Sequence, residues 1–61
     1  MYVLLESHTR YEDCTVNVSG EHVRIPGDTK KSWVYFKSAP EHIEIQNISN
    51  SVSISYSIIQ P

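Results

Sequence analysis

The amino-acid sequence predicts an all-β fold, a small antiparallel sandwich or barrel-like sheet of five to six short strands in one domain spanning residues 1–61. Three observations predict it. Residues 51–58 alternate serine with a large apolar residue, and a period of two places successive side chains on opposite faces of a strand. Two other parts of the chain fit hairpins in which apolar residues oppose apolar residues. No stretch has the periodicity of a helix of useful length.

The first half of the chain contains three predicted strands. Residues 2–6 form the first, and a polar loop covers residues 7–13. The second and third strands, residues 14–18 and 21–25, flank a turn at Ser19-Gly20. Glycine supplies the positive φ that a tight hairpin needs, so this turn is expected to join two antiparallel neighbours.

The second half begins with a proline–glycine turn at residues 26–31, for which we predict a type II bend. A fourth strand follows at residues 32–37. The last two strands, residues 41–47 and 51–59, are expected to pair as a hairpin around Ser49-Asn50.

Side-chain parity supports both hairpins. Val16 opposes Val23 in the first, and Ile45 opposes Ile54 in the second. A slip of one residue would turn the apolar side chains of a strand to the solvent, so the register is strongly specified. The predicted core comprises alternate residues of the first strand together with Cys14, Val16, Val23, Ile25, Val34, Phe36, Ile43, Ile45, Val52, Ile54, Tyr56 and Ile58.

Length and cysteine content limit how the chain is stabilised. A chain of 61 residues buries only about 60% of the surface that its unfolded form exposes. Cys14 is the single cysteine, which excludes an internal disulfide. The remaining stability must come from a metal, a partner chain or a well-packed core. Among these we expect a homo-oligomer, because spare apolar residues can be buried against a second copy.

Charge gives weak guidance on partners. The net charge is −2, which favours neither nucleic acid nor a membrane surface. Residues 24–37 nevertheless hold four cations against one carboxylate, and this basic segment is either a contact site or a solvated hairpin. The N-terminal residues lack the features of a signal peptide, and no stretch has the length of a membrane span, so we expect a cytoplasmic protein without membrane contact.

The fourth strand and its surroundings supply the candidate binding site. Parity places Trp33 and Tyr35 on the solvent face, with Phe36 on the core face, and we expect the third strand to lie beside the fourth. Exposed aromatic rings beside cations are typical of protein contacts and of surfaces that stack nucleic-acid bases or sugars. The alternatives are that the parity is reversed or that the fourth strand is buried on both sides. The candidate binding residues are Trp33, Tyr35, Lys37, Arg24, His22, Lys30 and Lys31.

Catalytic and metal chemistry have little support in the sequence. The histidines His8, His22 and His42 show no ligand spacing, so neither a metal nor another cofactor is expected. Cys14 is a possible nucleophile, but parity places it on the core face, where a thiol behaves as a small hydrophobe. No phosphate-binding loop or nucleophile elbow is present, so we expect no catalytic residues and no enzyme activity.

The sequence therefore favours a non-catalytic binding or assembly protein that self-associates and engages a macromolecular partner, more readily a protein than a nucleic acid or glycan. Such a chain fits a viral or phage accessory or inhibitor protein, which is an expectation about genomic context. The alternative is a module that grips a nucleic acid, nucleotide or glycan on an aromatic and basic sheet face. The serine ladder at residues 51–57 is either an edge that pairs with another chain or a solvated face.

Overall fold

The chain forms strands and turns, which confirms the predicted all-β class. The computed structural model describes residues 1–8 and 11–59. All of its strand pairs are antiparallel. Within these described residues the six strands are β1 (Tyr2–Ser7), β2 (Cys14–Val18), β3 (Glu21–Ile25), β4 (Lys31–Tyr35), β5 (Ile45–Asn47) and β6 (Ile54–Ile59).

The strands form two sheets of three strands each. The first sheet has the order β4-β1-β6, and the second has the order β3-β2-β5. One core combines side chains from both sheets, and each fully buried aliphatic side chain in it is worth about 1.5–3 kcal/mol. The buried apolar residues are Val3, Leu5, Cys14, Val16, Val18, Ile25 and Val34.

The first hairpin has the predicted register. Val16 opposes Val23, and Cys14 opposes Ile25. Its turn has φ of 47° at Ser19 and 93° at Gly20, the two successive positive values that a type I′ turn requires. The right-handed twist of the strands matches this turn, so local sequence is sufficient to specify the hairpin.

The second hairpin was predicted wrongly. β5 pairs with β2 and β6 pairs with β1, so the chain crosses from the second sheet to the first between them. The side chain of Asn47 organises the crossing: its Nδ2 donates to Asn50 Oδ1 at 2.6 Å and to the Val52 carbonyl at 3.0 Å. Its Oδ1 accepts from the backbone amide of Asn50 at 3.2 Å. Because asparagine side chains bond the local backbone, the segment forms a wide turn instead of a hairpin.

Because of this topology, two residues of the predicted core are not buried. Tyr56 and Ile58 were expected inside, but they are 47% and 46% exposed. They oppose Leu5 and Val3 on the inner side of the first sheet, where the second sheet does not cover β6. The other predicted members are buried or pack partly buried against the core; the partly buried ones are Val23, Phe36, Ile43, Ile45, Val52 and Ile54.

The loop after β3 also differs from the prediction. A type II bend needs a positive φ at Gly27, but the positive φ of this loop is at Lys30, at 61°. The amide of Lys30 donates to the Pro26 carbonyl at 2.8 Å and closes the loop. Glycine is required at position 27 for another reason: a Cβ there would lie 2.5 Å from the backbone nitrogen of Glu12.

We expect Gly27→Asn to destabilise the fold by about 1–3 kcal/mol, because backbone atoms cannot move aside as a flexible side chain would. The matched variant is Gly20→Asn, where no atom lies within 4 Å of the added Cβ. Asparagine tolerates positive φ, so this variant should cost less than about 1 kcal/mol. Urea unfolding measures both, and equal losses would contradict the proposed close contact.

We expect Asn47→Ala to destabilise the fold by about 1–3 kcal/mol, since several polar groups of the crossing lose their partner together. Gln46→Ala is the control, because Gln46 is an exposed neighbour on β5 and should change the stability by less than about 0.5 kcal/mol. The measurement is the free energy of unfolding in urea. A loss at Asn47 no greater than at Gln46 would show that the network does not hold the crossing.

Candidate functional site

The outer side of the first sheet carries an exposed apolar surface. Val3 and Leu5 point into the core, so the alternate residues of β1 and their cross-strand partners point outward. The exposed fraction is 48% for Tyr2, 55% for Trp33, 59% for Tyr35 and 47% for Ile59. We call this surface the aromatic face, defined by Tyr2, Leu4, Trp33, Tyr35 and Ile59.

The register of the first sheet brings these side chains together. Tyr2 lies between Tyr35 on β4 and Ile59 on β6. Its ring meets Trp33 edge-on, with centroids 6.3 Å apart at 86°, and lies 5.0 Å from the ring of Tyr35 at 52°. Such tilted and T-shaped arrangements are favourable for aromatic pairs. The three rings therefore form one ordered cluster on a sheet.

Sequence reasoning identified Trp33 and Tyr35 but missed the residues between them and β6. Alternation assigns Tyr2 and Leu4 to the first strand but does not identify the neighbours of that strand. Their role depends on β1 being the central strand of the first sheet, flanked by β4 and β6. Alternation along β1 was the available signal, since it separates Tyr2 and Leu4 from the buried Val3 and Leu5.

The expected proximity of His22 and Arg24 to the aromatic face was wrong. β4 pairs with β1, whereas β3 pairs with β2 in the second sheet. His22 and Arg24 therefore lie on the outer side of the second sheet, opposite the core from the aromatic rings. Arg24 also has a partner, because its Nη2 and Nε donate to Asp13 Oδ2 at 2.6 Å and 3.2 Å.

The three candidate lysines occupy different surroundings. Lys31 opposes Glu6 at the end of the β1–β4 pair, so a carboxylate is its cross-strand neighbour. Lys30 lies over the ring of Tyr11, with Nζ 5.5 Å from the centroid. Lys37 is exposed beyond the end of β4. Lys31 and Lys37 therefore flank the aromatic face at its two ends.

The cysteine and the histidines, which could act as a nucleophile or as metal ligands, are either buried in the core or far apart on the surface. Cys14 is fully buried, and its Sγ lies 3.5 Å from Asn50 Nδ2, which places the thiol in the core as predicted. His8 contacts Ser55 and His42 contacts Glu44, each at 3.1 Å. Within residues 1–8 and 11–59, no group of three histidine, cysteine or acidic side chains is close enough to hold a metal ion.

A surface depression lies at the first hairpin and contains none of the candidate residues. It is open to solvent, and it is lined by Asn17, Gly20, Glu44, Ile45 and Gln46. The described part of the chain also has no helix with the length and apolarity needed to cross a membrane. Among the described residues, the aromatic face is therefore the candidate binding surface, because it combines exposed aromatic rings that contact one another.

Comparisons with protein-family models, with curated proteins and with solved structures find no match for this chain.

Asp13 makes the loops between the strands sensitive to acid. The backbone amide of Gly27 donates to Asp13 Oδ1 at 2.7 Å, and this hydrogen bond, followed by that from Arg24, lowers the pKa of Asp13 below its ordinary value of 3.8. A carboxylate with a lowered folded-state pKa contributes stability above the unfolded-state pKa. That stability is lost as the pH falls through the folded-state value.

We expect the stability difference between the wild type and Asp13→Asn to be greatest at neutral pH and to shrink as the pH falls below about 4. The urea midpoint measured across this range tests it. Arg24→Gln is the control, because it keeps the larger contribution from Gly27 and should retain part of the pH dependence. A constant difference between wild type and Asp13→Asn would refute the assignment.

Proposed function

We propose that this chain is a non-catalytic binding protein that self-associates and engages a protein partner through the aromatic face. The single observation that carries the proposal is the exposure of three mutually packed aromatic rings on one sheet, with Leu4 and Ile59 completing the surface. Contiguous exposed apolar patches of this kind mark interaction sites on small soluble domains.

The composition of the face supports a protein partner. Tyrosine and tryptophan are enriched at protein interfaces, where they supply large contact areas and most of the binding energy. The rings of Tyr2, Trp33 and Tyr35 are held against one another on paired strands, so little side-chain freedom remains to be lost on binding. Lys31 and Lys37 lie at the ends, as polar groups do at an interface rim.

The distribution of cations weighs against the nucleic-acid form of the alternative. Phosphate neutralisation dominates such binding, and it needs unpaired cations beside the stacking rings. Arg24 is paired with Asp13 on the other sheet and Lys31 opposes Glu6, so among the described residues one exposed cation, Lys37, remains at an end of the aromatic face. A glycan bound on the aromatic face is therefore the second candidate, favoured by the exposed ring of Trp33.

Several features support a non-catalytic role. A catalytic site is ordinarily concave and excludes water, whereas the aromatic face is the outer side of a sheet. Cys14, the strongest nucleophile in the chain, is buried in the core. The expectation of a viral or phage accessory or inhibitor role remains a prediction.

We expect Trp33→Ala to weaken partner binding by about 2 kcal/mol or more, the effect of removing a central aromatic anchor. Immobilised wild type, Trp33→Ala and His22→Ala chains are compared for the proteins that they retain from cell extract. The partner is the protein retained by wild type and by His22→Ala, since His22 lies on the second sheet, and lost with Trp33→Ala. The affinities of wild type and of Trp33→Ala for this partner are then compared by titration calorimetry, because the variant lacks the single tryptophan whose emission could report binding.

Two results would contradict this assignment. Equal retention by Trp33→Ala and wild type would remove the aromatic face as the binding surface. Quenching of Trp33 emission by a single-stranded oligonucleotide or an oligosaccharide, without any retained protein, would favour the ligand-binding alternative. Added salt would reverse the quenching for a nucleic acid and not for a neutral glycan.

A further inference from the structure

Among the described residues, four strands lie at sheet edges, and three of these edges are protected. β3 carries Glu21 and Arg24, β4 carries Lys31, and β5 has only three residues. Charged side chains and short length are the usual means by which proteins prevent an edge from pairing with another chain. β6 differs, because its six residues, ISYSII, contain no charge and no proline.

The hydrogen-bond pattern identifies which residues of β6 face this open edge. Ser7 opposes Ile54, so one step further His8 opposes Ser53, and the amide of His8 donates to the Ser53 carbonyl at 3.1 Å. Hydrogen-bonded and non-hydrogen-bonded pairs alternate along an antiparallel ladder. Ser55, Ser57 and Ile59 therefore turn their backbone groups towards β1.

The remaining residues, Ile54, Tyr56 and Ile58, turn their backbone N–H and C=O groups towards the open edge. The pairing of β1 with β4 supports the same phase. Met1 and Phe36 exchange backbone hydrogen bonds at 2.8 Å and 3.0 Å, so the odd-numbered residues of β1 bond to β4 and the even-numbered ones bond to β6.

The same three residues of β6 carry the incompletely covered inner side chains. Ile54 is partly buried against the core, but nearly half of Tyr56 and of Ile58 is exposed because the second sheet does not reach them. A strand placed beside β6 would satisfy its backbone groups and cover these apolar side chains together.

We propose that β6 pairs antiparallel with β6 of a second copy of this chain, about a two-fold axis at Tyr56. In this register Tyr56 opposes its own counterpart, and Ile54 opposes Ile58 of the second copy. Each opposed pair exchanges two backbone hydrogen bonds, so every edge-facing group of the strand is used. The inference rests on the self-association in the proposed function and assigns its site.

Symmetry and charge favour a second copy as the occupant. A two-fold contact places the same strand on both sides, so a charged residue near the axis would meet its own counterpart. The uncharged β6 meets this requirement, whereas β4 with Lys31 does not. In this arrangement the two β6 edges are paired with each other, and Lys31 protects the outer edges formed by β4. The assembly therefore stops at a dimer, whose continuous sheet has the order β4-β1-β6-β6-β1-β4.

The test measures the mass of the full 61-residue chain by light scattering over a range of concentrations. Wild type should have twice the 7.0 kDa of one chain. Tyr56→Lys places two cations opposite each other, so its mass should fall by half. His22→Lys adds the same charge on β3 of the other sheet, and Trp33→Ala alters the aromatic face; both should remain dimeric.

Hydrogen exchange provides a readout that does not depend on a variant. In the dimer, the amides of Tyr56 and Ile58 should exchange as slowly as that of Ser57, which bonds to β1 in either state. Dilution to the monomer should accelerate exchange at Tyr56 and Ile58 and leave Ser57 protected.

Several results would overturn the proposal: a wild-type monomer at every concentration, an assembly larger than a dimer, a dimeric Tyr56→Lys, or unprotected Tyr56 and Ile58 amides in the dimer. A Trp33→Ala monomer would place self-association on the aromatic face instead. Retention of the protein partner by Tyr56→Lys separates the two proposals, because partner binding through the aromatic face can succeed or fail independently of the edge.

Discussion

The structure depends on one layer of apolar side chains enclosed between two small sheets. β1 and β2 are the central strands, and their alternate residues, including Leu5 and Val16, are fully buried in this layer. A chain of this length has enough apolar residues for one such layer and no more. The second sheet therefore covers the centre of the first but leaves the inner side of β6 partly open.

As a consequence, two apolar surfaces of the first sheet remain exposed among the described residues. The aromatic face lies on the outer side of the first sheet, and the inner side chains of β6 lie at its edge. These surfaces differ in chemistry: one is a packed cluster of rings, while the other combines apolar side chains with unpaired backbone groups. The first suits recognition of a different protein, and the second suits pairing with an identical strand. Dimerisation at β6 would extend the sheet that carries the aromatic face.

Polar side chains organise the connections that the apolar layer does not specify. Asn47 bonds the backbone where the chain crosses between sheets, and Asp13 ties the loop before β2 to Gly27 after β3. Both act through backbone groups that would otherwise lack protein partners. The close approach at Gly27 then leaves no space for a larger residue.

Several local features of this protein follow from its sequence alone: the strand periodicity, the register of the first hairpin and the inward position of Cys14. These depend on alternation and on the positive φ at Ser19-Gly20, which act between residues close in the chain. The other strand pairings depend on contacts between residues far apart in the chain, which form only in the folded protein. The alternation of β6 fits β5 and β1 equally well, and parity cannot distinguish them. The burial of one common core, together with the Asn47 turn, selected β1 and so separated Arg24 from Trp33, brought Tyr2 beside it, and left Tyr56 at an open edge.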